Sequence, residues 1–241
     1  MPIGQIANGE TGSSVRDKLN EDISLSTSIV NKRAAVFDSF NRADGTSIGN
    51  SDSGVAWTTN LWGTGTKRIL ENSLRIDASG EGINQSIVSL SNDNRGYTIY
   101  GEFQKGLSTN VSQGIIVGIL KDANNYIGVR FRLLTTEIIV NIAGTTTVLA
   151  NQTLSGGTDE QRGRSALGSK FEISIGVRGV TGQNGFISVN QPNVLTSTLS
   201  ADISTQIAST FPTDADLSDL FIRNNTTSQS FRLNSIAIAT T

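Results

Sequence analysis

The sequence predicts an all-β protein, a β-sandwich preceded by a short N-terminal helix. From residue 35 to the C-terminus, short apolar runs are separated by clusters of Gly, Asn, Asp and Ser. Several of these runs alternate apolar and polar residues with the period of two that is typical of half-buried strands. No linker-like segment divides this region, so we expect it to form one domain. We therefore predict an N-terminal segment at 1–33 and a sandwich at 34–241.

The N-terminal segment has the pattern of one short helix. Ser14 begins a capping pattern, and Val15, Leu19 and Ile23 fall on one side of a helix that ends near Asn31. The segment has no heptad repeat long enough for a coiled coil. Two interpretations remain open. The helix packs on its own domain, or Val15, Leu19 and Ile23 serve attachment or oligomerisation.

The strands are predicted from the alternation and from the turn residues between them. Residues 35–40 should form the first strand and pair with the last one, at 231–239. Residues 68–77 are predicted to form strand, turn and strand, and 97–104 a further strand. We predict hairpins at 114–134, 137–149 and 171–190, and a final hairpin of 220–223 with 231–239. Residues 151–168 are predicted to be an exposed polar loop, and 192–211 have no clear pattern.

Composition excludes several functions. The chain has no cysteine and no histidine, which removes disulfides, thiolate chemistry and a conventional catalytic triad. The net charge of -2 gives no broad attraction for nucleic acid. We see no secretory signal and no apolar run long enough to insert into a membrane.

The acidic residues do not form a catalytic or metal-binding pattern. Glu102, Glu137 and Glu172 each lie in a predicted strand without a second carboxylate two residues away, so we expect no glycosidase pair and no enzyme. Asp214, Asp216 and Asp219 could supply oxygen ligands to Ca²⁺, as could Asp38, Asp44 and Asp52, but turns and solvated loops are the favoured interpretation. We expect no metal site and no cofactor.

Glycan binding is the ligand hypothesis that the sequence favours, because sugars stack on exposed aromatic rings while polar side chains bind their hydroxyl groups. Trp57 follows a turn and is expected in the core, whereas Trp62 lies in a Gly/Thr-rich loop that favours exposure. The candidate ligand-binding residues are Trp62, Tyr126, Asn124 and Asn125, with Tyr100 as a further aromatic candidate.

Three stretches together resemble a concanavalin A-like or laminin-G-like jelly roll: 37–45 (FDSFNRADG), 114–126 with the turn at Asp122, and 220–238. Residues 6–20, in which a Gly-Glu-x-Gly stretch leads into a short helix, resemble a segment of phage tail and tail-fibre proteins. The resemblance implies a structural or adhesive virion protein, tail-associated or fibre-like, and often trimeric.

These observations lead to one functional hypothesis with two alternatives. We expect a non-enzymatic phage virion protein, made in the host cytoplasm, that forms a homo-oligomer with a trimer favoured. Its partners would be other virion proteins and, through an outward sandwich, a host surface glycan. The alternatives are a capsid decoration or head-fibre protein and a free carbohydrate-binding module.

Overall fold

The computed structural model describes residues 34–59, 61–63, 66–77, 81–86, 95–103, 114–132, 135–153, 170–178, 184–191, 195–212, 217–225 and 231–240. The chain separates into two units, Met1–Ala34 and Ala35–Thr241. The predicted helix with Val15, Leu19 and Ile23 lies outside the described residues.

The described residues form fourteen strands and one helix. The strands are β1 Ala34–Asp38, β2 Lys67–Ile69, β3 Leu74–Ile76, β4 Gly82–Ser86, β5 Arg95–Phe103, β6 Gly114–Asp122, β7 Asn125–Arg132, β8 Thr135–Ile142, β9 Thr145–Thr153, β10 Lys170–Arg178, β11 Asn184–Asn190, β12 Leu199–Asp202, β13 Asp219–Asn224 and β14 Phe231–Thr240. The helix, α1, is Ser204–Thr210. None of the described helices has the length and apolar character needed to cross a bilayer.

The strands form two antiparallel sheets. The eight-stranded sheet has the order β12-β11-β10-β5-β14-β3-β2, with β1 also paired to β14, and the six-stranded sheet has the order β4-β13-β6-β7-β8-β9. The predicted pairing of the first and last strands is therefore confirmed. The all-β sandwich predicted from the sequence is confirmed as well.

The main core lies between the two sheets. Phe131 of β7 contacts Phe103 of β5 and Phe171 of β10, with ring centroids 5.2 Å and 4.8 Å apart. These contacts join the sheets, because β7 belongs to one and β5 and β10 to the other. Around them, alternate residues of β5, β6, β7, β10 and β11 point inward and are buried. This is the packing of a sandwich whose inner faces interdigitate.

Three of the predicted hairpins are confirmed by the strand register. β6 pairs with β7, β8 with β9, and β10 with β11. The turn between β8 and β9 has positive φ at Ala143 (50°) and Gly144 (83°), as a tight two-residue hairpin turn requires.

The predicted final hairpin is wrong. β13 pairs with β4 and β6 in the six-stranded sheet, whereas β14 lies in the other sheet. Leu220, Phe221 and Ile222 are all fully buried. A strand with apolar residues on both faces belongs inside a sheet and not at its end. The chain therefore crosses from one sheet to the other after β13.

Two smaller expectations also change. Residues 151–153, predicted to lie in the polar loop, continue β9, because their backbone pairs with 135–137 of β8 while two of the three side chains are exposed to solvent. The region that gave no pattern contains β12 and α1, a helix held by the fully buried Ile207. The remainder of the predicted loop, residues 154–168, lies outside the described residues.

Candidate functional site

Trp62 lies on the outer face of the six-stranded sheet and is only partly exposed. Its indole Nε1 donates a hydrogen bond to the carbonyl of Ala123, 3.2 Å away, in the β6–β7 turn. Its ring packs against Phe221, with centroids 5.3 Å apart, and the guanidinium of Arg223 lies 5.4 Å from its centroid. Much of the ring and its only polar group are therefore already used within the protein.

A glycine makes this position of Trp62 possible. A Cβ atom on Gly82 of β4 would lie 2.7 Å from Cε3 of Trp62, so only a residue without a side chain allows the ring to approach. A buried ion pair also supports Gly63, the residue that follows Trp62. Lys67 Nζ lies 2.5 Å from Oε2 of Glu81 and donates to the carbonyl of Gly63 at 3.0 Å. These contacts indicate a fixed structural position for Trp62 and Gly63.

The other predicted ligand-binding residues lie near Trp62, but most of them are buried or already form hydrogen bonds within the protein. Tyr126 is 1% exposed, and its ring centroid is 5.0 Å from that of Phe221. A sugar has no exposed face of Tyr126 on which to stack. Asn125 donates to Asp122 and accepts a hydrogen bond from the backbone of Ala143, which ties two hairpins together.

Asn124 is the exposed member of this group. Its backbone carbonyl accepts a hydrogen bond of 3.0 Å from Gly144, and its backbone N–H donates to Asp122. Among the described residues, its side-chain amide has no hydrogen-bond partner. Among the four predicted ligand-binding residues, the groups that remain accessible to a ligand are therefore the side-chain amide of Asn124 and part of the Trp62 ring.

Asp38 organises the stretch after the first strand. It is fully buried and accepts hydrogen bonds from the Phe40 backbone (2.8 Å), both terminal nitrogens of Arg42 (2.9 and 2.7 Å) and Trp57 Nε1 (2.7 Å). Trp57 is buried, in agreement with its expected place in the core. The guanidinium occupies the position that a cation would need. The carboxylate therefore acts here as a structural acceptor.

The neighbouring aspartates also have hydrogen-bonding roles. Asp52 accepts from the backbone N–H and hydroxyl of Ser39 at 2.8 and 2.5 Å, and Asp44 accepts from the Glu71 backbone at 2.8 Å. Within the described ranges, no group of three or more acidic side chains is arranged to hold a metal ion. Asp214 and Asp216 of the other candidate cluster lie outside those ranges.

A surface cavity of about 430 Å³ lies beside this network. Trp57 and Ile48 line it together with polar groups of Thr46, Asn50 and Thr59. Its described lining carries no charged side chain, so it offers little to an ionic ligand. Its size is that of a small-ligand site, but nothing further distinguishes it.

The eight-stranded sheet presents a different outer surface. Tyr100 of β5 and Phe186 of β11 are 47% and 43% exposed, and both point away from the core between buried neighbours. Hydroxyl-bearing and carboxylate side chains surround them. We call this surface the open face and define it by Thr98, Tyr100, Glu102, Glu172, Ser174, Phe186 and Ser188.

Strand register fixes the positions on the open face. Tyr100 lies opposite Glu172, and Thr98 lies opposite Ser174, which in turn lies opposite Ser188. Partial burial and the negative charge of Glu172 raise the pKa of Tyr100 above its usual value. The tyrosine therefore stays a neutral hydrogen-bonding phenol throughout the physiological range.

Phe186 lies over a glycine. It is paired with Gly176 of β10, and a Cβ atom there would lie 2.1 Å from Cε1 of the phenyl ring. The absence of a side chain at Gly176 allows the ring to lie across the neighbouring strand instead of standing upright. A ring held flat on a sheet presents its face to solvent.

Two carboxylates are brought near one another on the open face. Glu102 lies opposite Lys170, which places it diagonally from Glu172 on the neighbouring strand. Sequence spacing could not show this, because the two residues are 70 positions apart in the chain. Glu137, the third candidate, lies on the other sheet and is paired with Arg130 at 2.5 Å and Arg132 at 3.1 Å.

Phe186 was missed in the sequence analysis, although a signal for it existed. Ile187 and Val189 are buried, so alternation along β11 directs Phe186 outward. An outward phenylalanine in a strand with a well-defined inner face is an exposed aromatic ring. The open face therefore contains one predicted aromatic candidate, Tyr100, and one that was not predicted.

Comparison with known proteins identifies the fold. No family model matches the chain, and no curated protein matches it. Among solved structures, the chain is similar to the GH43 protein BlXynB (K247S mutant) from Bacillus licheniformis, with a TM-score of 0.52, 10% identity, and coverage of 85% of this chain and 39% of that chain. It is also similar to the botulinum neurotoxin serotype D binding domain, with a TM-score of 0.50, 12% identity, and coverage of 88% and 48%.

These similarities concern the fold alone. The chain spans less than half the length of either structure, and the identities are too low to carry over a site. They support the jelly-roll-like, all-β sandwich that the sequence resemblance implied.

Proposed function

We propose that this protein is a non-enzymatic glycan-binding sandwich carried by a phage virion, tail-associated or fibre-like, and that the open face holds the glycan. The observation that carries the binding part is the pair of exposed rings, Tyr100 and Phe186, set among hydroxyl and carboxylate groups on an otherwise flat sheet face. Aromatic rings contact the apolar faces of sugars, and neighbouring polar groups bind their hydroxyls.

The open face supports this better than the region around Trp62. Tyr100 and Phe186 are 47% and 43% exposed, whereas Tyr126 is 1% exposed and Trp62 is packed between Phe221 and Arg223. The fold neighbours are compatible with a role at carbohydrates: one is a GH43 protein and the other is a toxin binding domain. The virion part is supported by the resemblance of residues 6–20 to phage tail proteins.

A glycan array with the full chain tests the binding part. Tyr100→Ala and Phe186→Ala should each weaken the strongest signal, and Val148→Ala should leave it unchanged. Val148 is a matched control, since it is 40% exposed but lies on β9 of the other sheet. If Trp62→Ala removes the signal and the two open-face variants do not, the site is at Trp62. Release of shorter sugars from a bound glycan would contradict the non-enzymatic assignment.

The attachment role is tested separately. Light scattering should give an oligomer, with a trimer favoured, for the full chain and a monomer for a chain that begins at Ala34. A full chain that binds glycan, is monomeric and does not bind virions lacking it would favour the free carbohydrate-binding module. Binding to such particles without any glycan signal would favour a capsid decoration protein.

A further inference from the structure

We propose that the open face takes a linear, uncharged glycan of at least three sugar units, which lies along the diagonal from Tyr100 across Ser174 to Phe186. This inference rests on the proposed glycan-binding function and adds the length and charge of the ligand. It follows from the positions of the two rings, from the residue between them, and from the charges around them.

The distance between the rings sets the length. Tyr100 is opposite Glu172, and Phe186 is opposite Gly176, so the two residues lie two strands apart and four residues apart along β10. The Phe186 ring lies over Gly176, which brings it one strand closer to Tyr100 and leaves the four-residue separation along β10. With strand spacings of ~4.8 Å and a rise of ~3.4 Å per residue, the two Cα positions are about 17 Å apart. A sugar ring is comparable in width to a phenyl ring. A monosaccharide can therefore contact only one of the two rings.

Ser174 lies midway on this diagonal, one strand and two residues from the backbone position of each aromatic residue. Thr98 and Ser188 are its cross-strand neighbours, and all three side chains are partly exposed. The space between the rings is thus a shallow trough with a floor of short hydroxyl groups. A chain of sugars can cross it and exchange hydrogen bonds with this floor, whereas a bulky side chain there would block it.

The local charge disfavours acidic glycans. Glu102, Glu172 and Asp202 surround the diagonal, and the described basic residues beside it are Lys170 and Arg178, at the two ends of β10, so acidic residues outnumber basic ones there. Hydrogen bonds from the hydroxyl and backbone of Ser204 lower the pKa of Asp202, so this carboxylate keeps its charge in mildly acidic solution. Like charges on ligand and surface repel each other.

Three other basic side chains on the same sheet lie apart from the diagonal. Arg68, Arg75 and Arg232 form one cross-strand row on β2, β3 and β14. They are paired with Asp77 and Glu71. An acidic polymer would bind at this row and not between the two rings.

The test uses the full chain and an array of linear hexose, N-acetylhexosamine and uronic-acid oligomers, from monosaccharide to hexasaccharide. Binding should rise steeply at the trisaccharide or tetrasaccharide and stay weak for the uronic acids. Phe186→Ala should weaken the hexasaccharide about tenfold, equivalent to about 1.4 kcal/mol, and make binding independent of length. Ser174→Trp should abolish the gain with length, whereas Ser174→Ala should retain it. Thermal unfolding checks that each variant is folded.

The outcomes separate the two proposals. If the wild-type chain retains no glycan, the proposed function fails and this inference fails with it. If it binds the monosaccharide as well as the hexasaccharide, or if Ser174→Trp keeps the gain with length, glycan binding stands and the diagonal is wrong. Stronger binding of the uronic-acid series would contradict the charge argument and point to the arginine row.

Discussion

Replacement of Asp38 by alanine should lower the stability of the sandwich far more than replacement of any exposed aspartate. The substitution removes the acceptor of the Phe40 N–H and the Trp57 indole N–H, both in buried residues. Each buried donor left unsatisfied costs about 1–3 kcal/mol, which gives about 4 kcal/mol for the two. Arg42 is left out of this sum, because its side chain is 26% exposed and can turn to water.

The expected change is large enough to be measured simply. For a domain of about 200 residues, 1 kcal/mol corresponds to roughly 2–4 °C in Tm, so Asp38→Ala should lower Tm by about 12 °C. Asp52→Ala is the control, since this side chain is 35% exposed and, within the part of the chain that the structure describes, accepts hydrogen bonds from Ser39 alone and forms a longer ion pair of 3.8 Å with Arg42. Its loss should cost about 1 kcal/mol.

Calorimetry of the three proteins, with and without Ca²⁺, decides the role of Asp38. If Asp38→Ala lowers Tm no more than Asp52→Ala does, the network does not carry the stability assigned to it. Ca²⁺ should not change the Tm of the wild type, because Arg42 already fills the space in front of the carboxylate. A rise in Tm with Ca²⁺ would show that an ion competes with Arg42 and would revive the metal interpretation.

Three further predictions concern the two outer faces. Glu172→Gln should lower the pKa of Tyr100 toward about 10, and the absorbance of the phenolate measures this change. Because the pKa of Tyr100 is raised in the folded protein, the contribution of Tyr100 to stability is fully present below its unfolded pKa and is lost as the pH rises through its folded pKa. An unchanged titration would contradict their coupling. Gly176→Ala should displace the ring of Phe186 and weaken glycan binding without loss of fold. Trp62→Ala should cost about 2 kcal/mol of stability and leave glycan binding intact; the reverse result would restore Trp62 as the ligand site.

Most of the hairpins could be predicted because the alternation and the turn residues that indicate each hairpin lie within the hairpin itself. Alternation along 126–132 and the turn residues after Asp122 define β7 and its pairing with β6 without reference to distant residues. The sheet partner of β13 could not be obtained in this way, because sequence neighbours are the default pairing and nothing local contradicts it. The useful signal was the run Leu220, Phe221 and Ile222, which is apolar on both faces and therefore indicates a central strand.

The candidate site was predicted less well, for a related reason. Trp62 was grouped with Tyr126, Asn124 and Asn125 as a ligand candidate, and its exposure was inferred from its Gly/Thr-rich loop. The structure shows that Gly82 leaves room for the ring to lie on the sheet and that Ala123 takes its N–H. Whether a loop aromatic is exposed depends on the small residues beneath it in space, and these are distant in the sequence.

The two sheets treat their outer faces differently, and this difference favours the open face as the binding surface. On the six-stranded sheet the outward residues Ile116, Ile139 and Phe221 are at most 2% exposed, so the aromatic and aliphatic residues at the centre of that face are covered within the protein. On the eight-stranded sheet the rings of Tyr100 and Phe186 remain exposed, and this exposed apolar area gains no stabilisation from packing within the described part of the protein. Isolated exposed rings are ordinary on a protein surface. Two of them at opposite ends of a trough of serine and threonine are better explained by a ligand that contacts both.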